Sequence, residues 1–124
     1  MLNLAGASFK NTNMRNAKPA GKDLSKADFS GAKMGRNDLT NTNLSKASFI
    51  GAEDHASDFT NADLSFTTFV KAYLTNSQFK GADFRGADFT DAKFRYPYFE
   101  GAFYDYSTIW PTDFDPRTAG AIKK

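Results

Sequence analysis

The sequence predicts an all-β solenoid, in which the backbone winds through short straight segments joined by corners. Three observations predict this fold: a large apolar residue at nearly every fifth position from Leu4 to Phe114, a small residue two positions before it, and often a glycine or asparagine two positions after it. Of the 23 large positions, Leu occupies 6, Phe 11 and Met 2. So strict an internal repeat is typical of a chain that stacks one unit on the next.

A period of five residues suits neither of the common elements. On an α-helix, five residues advance the side-chain direction by about 140°, which scatters the large residues around the cylinder. On a flat strand, an odd period sends alternate large residues to opposite faces. One interior can bury them all only if the backbone turns a corner in every unit. Glycine and asparagine suit corners for backbone reasons, and they recur as Gly31, Gly51, Gly81, Gly86, Gly101, Asn41, Asn61 and Asn76.

Units such as Ala62-Asp63-Leu64 and Ala82-Asp83-Phe84 carry a resemblance to a known family. They resemble the Ala-(Asp/Asn)-Leu-x-x consensus of the pentapeptide-repeat proteins, and the match extends over residues 2–114. The resemblance implies a right-handed quadrilateral parallel β-helix with four pentapeptides per coil, and therefore about five to six coils here. The C-terminal sequence YDYSTIWPTDFDPRTAG also resembles the ending of many cyanobacterial members of the family.

With 20 residues per coil, as the resemblance implies, residues 20 apart stack in interior columns. Like residues then lie on like, which favours a one-dimensional stack, and burial of each large side chain contributes about 1.5–3 kcal/mol. The predicted columns are Leu4, Leu24, Leu44, Leu64, Phe84, Tyr104; Phe9, Phe29, Phe49, Phe69, Phe89, Ile109; Met14, Met34, Asp54, Leu74, Phe94, Phe114; and Pro19, Leu39, Phe59, Phe79, Phe99.

We expect one domain with two parts. Residues 1–114 form the repeat, with an irregular first coil around 17–22, because Pro19 occupies a large position and Lys22 a small one. Residues 115–124 form a C-terminal cap or tail.

The two ends of such a rod need separate consideration. For the C-terminal cap a helix is one option, with Asp115 as its N-cap and Pro116 at its first position; Tyr104, Tyr106 and Trp110 are then expected to roof the last coil. The N-terminal end shows no cap, and an open end recruits further strands. We therefore expect a homo-oligomer formed through this uncapped coil end.

Composition limits the classes of function. The chain of 124 residues has a net charge of +2, one His and no Cys, which excludes disulfides, thiolate catalysis and Cys-ligated metals. No catalytic set, cofactor motif or metal-ligand spacing is apparent, so we expect a protein that is not an enzyme and needs no cofactor. No apolar run approaches the roughly 20 residues of a membrane span. We expect a cytoplasmic protein, or a periplasmic or thylakoid-lumen protein for a chain whose leader has been removed.

One interior position breaks the repeat. Asp54 stands where Leu or Phe is expected, and His55 follows it. An unpaired buried carboxylate costs several kcal/mol. Asp54 is therefore protonated or hydrogen-bonded inside, reaches water through a distorted corner, or joins an ion-pair cluster with Lys33, Arg36, Glu53 and His55. An Asp–His ligand or acid–base site is the alternative, but two residues alone do not specify one. We interpret Asp54 as a fault that the fold tolerates.

Two outward surfaces are candidate binding sites. Ile50, Phe66 and Val70 replace the polar residues usual at their positions, which suggests an apolar patch for a protein partner. The second surface is a basic face of Arg15, Lys33, Arg36, Lys93 and Arg95, with Tyr73 and Tyr96 beside them. It suits an acidic partner. So few charges over six coils make nucleic acid an improbable ligand.

The leading functional hypothesis is a non-enzymatic scaffold, a rigid rod that presents flat faces to a protein partner of unknown identity. Ordered faces lose little conformational entropy on binding. The alternative comes from the resemblance: some pentapeptide-repeat proteins mimic DNA, bind DNA gyrase and protect it from quinolones. Mimicry needs a long, strongly negative surface, and a net charge of +2 opposes it.

Overall fold

The computed structural model describes residues 3–124, which form a parallel β-solenoid of about six turns. Five three-residue strands stack in chain order as one parallel sheet. In that sheet Met14 pairs with Met34, and Met34 with Asp54, which gives 20 residues per coil. The strands are β1 (Asn13–Arg15), β2 (Lys33–Gly35), β3 (Glu53–His55), β4 (Tyr73–Thr75) and β5 (Lys93–Arg95), followed by β6 (Phe103–Tyr104) and β7 (Ile122–Lys123).

Each coil has four sides of two kinds. We call the side formed by β1–β5 the sheet side and the other three the turn sides. On the turn sides, successive coils pair through single bridges rather than through runs of strand, as between Asp28 and Ser48, Asp38 and Asp58, and Asp63 and Asp83.

Local hydrogen bonds close the corners of the turn sides. The Ala47 N–H donates to the Leu44 carbonyl at 3.0 Å, and Lys46 between them has φ 62°. That combination is a type II β-turn, with its left-handed residue two positions after the large one. The residue before the large one supports the turn: Asp63 accepts from the Ser65 N–H at 3.0 Å. The outward aspartates of the turn sides therefore build corners, which explains why they recur.

Corners on the sheet side are built differently. Arg36 is again left-handed, with φ 52°. In the turn-side corners, the N–H three residues after the large residue donates to the carbonyl of that large residue. Within residues 3–124, no sheet-side corner makes this hydrogen bond. Lys33, Glu53 and Tyr73 replace the supporting aspartates. Without that local turn the backbone stays extended through three residues, and these segments are the strands of the sheet.

Large side chains fill the interior of the tube. Phe9, Phe29, Phe49, Phe69 and Phe89 stack nearly face to face, with neighbouring ring centroids 4.6–5.0 Å apart. Small residues lie beside them in the core, and Ala27, Ala47 and Ala87 are buried. The interior columns predicted from the repeat are present over most of the chain.

The last coil departs from the prediction that Ile109 is an interior residue. Ile109 is 51% exposed, and Trp110 stacks on Phe89 instead, at 4.9 Å and 6°. Ile109 pairs with Asp88, 21 residues away rather than 20. One extra residue therefore precedes Trp110, in the loop where the Thr108 N–H donates to the Asp105 carbonyl.

The C-terminal cap contains no helix within the described residues. Asp115 caps only a turn: its carboxylate accepts from the Arg117 N–H at 3.0 Å, and the Ala121 N–H bonds to the Pro116 carbonyl. Strand β7 follows and pairs in parallel with β6, which extends the stack.

Two of the three aromatic residues expected to roof the last coil do so. Tyr104 is buried and contacts Trp110, and Trp110 contacts Phe114. Tyr106 is 91% exposed and covers nothing.

The first described coil is less enclosed than the others. Leu4, Phe9 and Met14 are only partly buried and line a depression of about 290 Å³ at this end. In the segment 17–22, Pro19 is buried at its large position, and the Lys22 N–H donates to its carbonyl at 3.0 Å as in the turn-side corners.

Candidate functional site

The corner that follows the sheet side contains a row of buried polar groups, which we call the internal polar ladder. Side chains accept hydrogen bonds there from three of the N–H groups freed by the missing turn bonds. Ala17 N–H donates to Asn37 Oδ1 at 2.9 Å, and Asn37 N–H donates to Ser57 Oγ at 3.1 Å. Ser57 N–H donates to Asp54 Oδ2 at 3.3 Å, and Ser77 Oγ–H donates to the same oxygen at 2.6 Å. The ladder links neighbouring coils inside the tube.

Asp54 belongs to this ladder and is 4% exposed. Its Oδ2 accepts two hydrogen bonds, whereas its Oδ1 is buried with no partner. Burial raises the pKa of Asp54 above its ordinary value, although the hydrogen bonds from Ser57 and Ser77 and the nearby His55 act in the opposite direction. The carboxyl group thus acts as a structural hydrogen-bond acceptor, with partners for one of its two oxygens and none for the other.

Asp54 and His55 both border a depression of about 370 Å³, but their side chains do not converge. Adjacent residues of a strand point to opposite faces, so Asp54 lies inside and His55 is exposed on the sheet side. No ion pair within 4.0 Å joins Lys33, Arg36, Glu53 or His55, all of which lie in the described part of the chain. The arrangement is neither an ion-pair cluster nor an acid–base dyad.

The apolar patch, defined as Ile50, Phe66 and Val70, lies at the two corners that flank one turn side. Ile50 and Val70 occupy the same outward position on neighbouring coils, since the Gly51 N–H bonds to the Val70 carbonyl. Ile50 is 46% exposed, Phe66 is 63% exposed, and Val70 is partly buried. Phe66 lies at the preceding corner of the coil, and the side between the two corners carries Thr68.

Phe66 combines exposure with a left-handed backbone, as Tyr96 also does with φ 52°. Phe66 occupies a left-handed corner with φ 57°, a conformation that bulky residues rarely adopt. Its ring lies over Gly86, where an added Cβ would be 2.5 Å from Phe66 Cδ1. Gly86 thus leaves space for the ring.

The basic face coincides with the sheet side, and the structure divides it into two groups. Lys93 and Arg95 lie near one end, each 5.8 Å from an aromatic ring, those of Tyr73 and Tyr96 respectively. Arg15, Lys33 and Arg36 lie toward the other end, on β1, β2 and the corner after β2. Glu53, His55 and Thr75 separate the two groups on β3 and β4.

Sequence reasoning missed two features, and each has a signal. The polar ladder appears once residues 20 apart are aligned, because Asn37, Ser57 and Ser77 then fall at one corner. The second feature is Gly35, which lies one residue after its large position instead of the usual two, and so lies on a side rather than at a corner.

Two other kinds of feature are absent from residues 3–124. That part of the chain holds no group of three or more His, Asp or Glu residues placed to bind a metal ion. It likewise contains no helix long and apolar enough to cross a lipid bilayer.

Comparison with known proteins identifies the repeat. A family model described as pentapeptide repeats matches in 8 copies, over residues 23–53 and 57–95, which together exceed half of the chain. No curated protein sequence matches significantly.

Solved structures with the same fold have low sequence identity. A pentapeptide repeat protein from the Arabidopsis thaliana thylakoid lumen is 23% identical, with a TM-score of 0.73 over 75% of this chain and 65% of that one. QnrB1, a plasmid-mediated fluoroquinolone resistance protein, is 15% identical, with a TM-score of 0.55 over 99% of this chain and 90% of that one. At these identities the likeness shows the fold alone.

Proposed function

The chain belongs to the pentapeptide-repeat family, and from this premise we propose that it is a non-enzymatic scaffold that binds a protein through the apolar patch. The interior is filled by side chains that hold the tube together, so binding falls to the outer surface. A preformed surface loses little conformational entropy when a partner docks. The partner we propose is a protein that offers an apolar side chain or groove to Ile50, Phe66 and Val70.

The observation that supports this proposal most is Phe66. Neither its exposure nor its left-handed backbone favours phenylalanine at this corner, where other coils carry Lys26 and Lys46. Strained residues cluster at functional sites, where the strain serves a role other than stability. A rigid exposed aromatic ring is also the kind of residue that contributes most to protein–protein binding.

Affinity capture from the native cell tests the proposal. The bait variant Ile50→Asp, Phe66→Asp, Val70→Asp is compared with the unchanged protein. We expect the variant to lose specifically captured proteins, since three carboxylates oppose burial of the patch. Thermal unfolding checks that the variant remains folded.

A matched control carries Tyr96→Asp, Tyr98→Asp and Tyr106→Asp, which places the same number of new charges at exposed aromatic positions outside the patch. The control is expected to retain the captured proteins. If both variants capture the same proteins as the unchanged chain, the patch is not the docking surface.

The gyrase-binding alternative finds no specific support here. DNA mimicry requires a continuous negative surface, whereas the sheet side carries Arg15, Lys33, Arg36, Lys93 and Arg95 against the exposed carboxylate of Glu53. A supercoiling assay with purified gyrase tests it, and we expect neither inhibition nor protection.

We further propose that a second copy covers the partly buried Leu4, Phe9 and Met14 at the N-terminal coil. Light scattering of the 124-residue chain is expected to show concentration-dependent association, and Phe9→Asp to abolish it. A monomer at every accessible concentration contradicts this proposal. The cytoplasmic location stays a prediction.

A further inference from the structure

Gly35 is a glycine that its backbone does not require. Of the nine glycines in the chain, eight have positive φ, and Gly35 is not among them. It is the last residue of β2 on the sheet side, where any residue could adopt the extended backbone. The absence of a side chain at Gly35 therefore leaves space on the outer surface of the sheet.

Arg15 takes part of that space. It pairs with Gly35 in the parallel register, and an added Cβ at Gly35 would be 2.9 Å from Arg15 Nη1. Asn13 orients the arginine, because Arg15 Nε donates to Asn13 Oδ1 at 3.0 Å. The guanidinium thus lies along the sheet over Gly35, and Arg15 is an exposed residue.

Beside this guanidinium lies a depression of about 170 Å³, which we call the Gly35 notch, lined by Arg15, Asn16, Gly35, Arg36 and His55. Two guanidinium groups border it, and neither has a carboxylate partner: the ion pair found within 4.0 Å among residues 3–124 is Arg85–Asp83. Lys33 adds a third cation on the same strand as Gly35.

The side chains that line the notch favour an anion as its ligand. Two unpaired cations at one depression repel each other, and an anion between them removes that cost. Guanidinium groups offer forked N–H donors that match the oxygens of phosphate and carboxylate. The volume is below the roughly 300–1,000 Å³ of sites for drug-sized ligands, so it suits one small oxyanion.

We propose that the Gly35 notch binds a phosphate-type oxyanion, either the free ion or the phosphate of a monoester. Arg15 and Arg36 hold the oxygens, while Asn16 and His55 line the remaining wall. None of Ile50, Phe66 and Val70 lines the notch, so this site does not depend on the proposed protein scaffold.

The test is a titration of the ¹⁵N-labelled chain with inorganic phosphate, followed by amide NMR shifts, with sodium chloride at matched ionic strength as the reference. We expect saturable shifts at Arg15, Gly35 and Arg36 with phosphate and none with chloride. Phosphoserine is titrated separately: tighter binding of phosphoserine assigns the notch to monoesters, and tighter binding of phosphate assigns it to the free ion. Absence of saturable shifts with both overturns the proposal.

Gly35→Ala tests the notch without changing the charge of the chain. The added methyl displaces the Arg15 guanidinium from its position over Gly35, and we expect phosphate affinity to fall at least fivefold while the melting temperature is maintained. Thr75→Ala, at the same outward position two strands along, is the matched control and is expected to change affinity less than twofold. Equal affinities for the Gly35→Ala variant and the unchanged chain contradict a shaped site.

A charge-matched pair separates local binding from the general field of the basic face. Arg36→Gln removes a cation of the notch, whereas Arg95→Gln removes a cation that lies beside Tyr96. We expect a tenfold loss of phosphate affinity for the first variant and less than twofold for the second. Equal losses for the two variants mean that phosphate responds only to net charge, and the site is then rejected.

Discussion

Asp54 shows how a single residue that contradicts the repeat is accommodated. The sheet-side corner lacks its local turn bond, and Asp54 accepts the Ser57 N–H together with the Ser77 hydroxyl. The interior therefore gains an acceptor where a leucine would provide none. The cost is a buried carboxyl whose Oδ1 has no partner.

The raised pKa of Asp54 predicts a pH dependence of stability. The unfolded carboxyl titrates near pH 4, so below that pH both states are protonated and the contribution of Asp54 is fully present. As the pH rises from there to the folded-state pKa, the free energy of unfolding falls by about 1.4 kcal/mol per pH unit. Above the folded-state pKa this contribution no longer changes with pH. We expect this component in the unfolding free energy of the unchanged chain minus that of Asp54→Leu, measured by urea titration from pH 4 to 8.

Asp38 supplies a control of opposite sign. Hydrogen bonds from the Thr40 hydroxyl and N–H lower the pKa of Asp38, so its contribution is present above pH 4 and is lost as the pH falls. Measured from about pH 2 to 5, the difference between the unchanged chain and Asp38→Asn should follow that opposite trend. A difference curve for Asp54→Leu that is flat between pH 4 and 8 contradicts a buried, neutral-favouring carboxyl.

At the scale of the elements, the turn sides and the sheet side differ in the role of the residue that precedes the large position. Asp63 on a turn side accepts both the N–H and the hydroxyl of Ser65, at 3.0 and 2.6 Å. Glu53 occupies the equivalent position on the sheet side and accepts no such bond. The same position in the repeat is thus structural on one side and not on the other.

Alanine substitutions at these two positions should therefore differ. We expect Asp63→Ala to lower the free energy of unfolding by about 0.5–2 kcal/mol, by analogy with the loss of a capping carboxylate. Glu53→Ala should remain within about 0.5 kcal/mol, as surface changes usually do. Urea unfolding of both variants measures the difference, and equal losses contradict a special role for the turn-side aspartates.

The sequence predicted the elements correctly wherever the position of a residue in the five-residue repeat decides whether its side chain is buried. Phe29, Phe49 and Phe69 are buried because their period allows no other arrangement. Prediction failed where one residue changes its neighbours: a single extra residue turned Ile109 outward and brought Trp110 over Phe89. The helix offered as one option for the cap is absent from the described residues: the chain after Asp115 forms turns and then β7, which pairs with β6.

For the molecule as a whole, the net charge is small, but the charged residues are distributed unequally among the sides of the solenoid. The cations of the sheet side were predicted as one basic face, yet the structure separates Lys93 and Arg95 from the group near Gly35. The notch and the polar ladder could not be predicted in detail, because each depends on contacts between coils and on the geometry of one corner. A repeat pattern specifies which residues face inward, but it does not specify the local shape of the outer surface.

The central claim is that the interior maintains the fold while exposed residues carry the function. Phe66→Asn tests it most directly, because asparagine accepts a left-handed backbone better than phenylalanine does. The measurement is the free energy of unfolding, made beside partner capture on the same preparation. We expect stability to be unchanged or to rise by about 0.5–1 kcal/mol, with capture lost. A loss of more than about 1 kcal/mol with capture retained would make Phe66 a structural residue and contradict the claim.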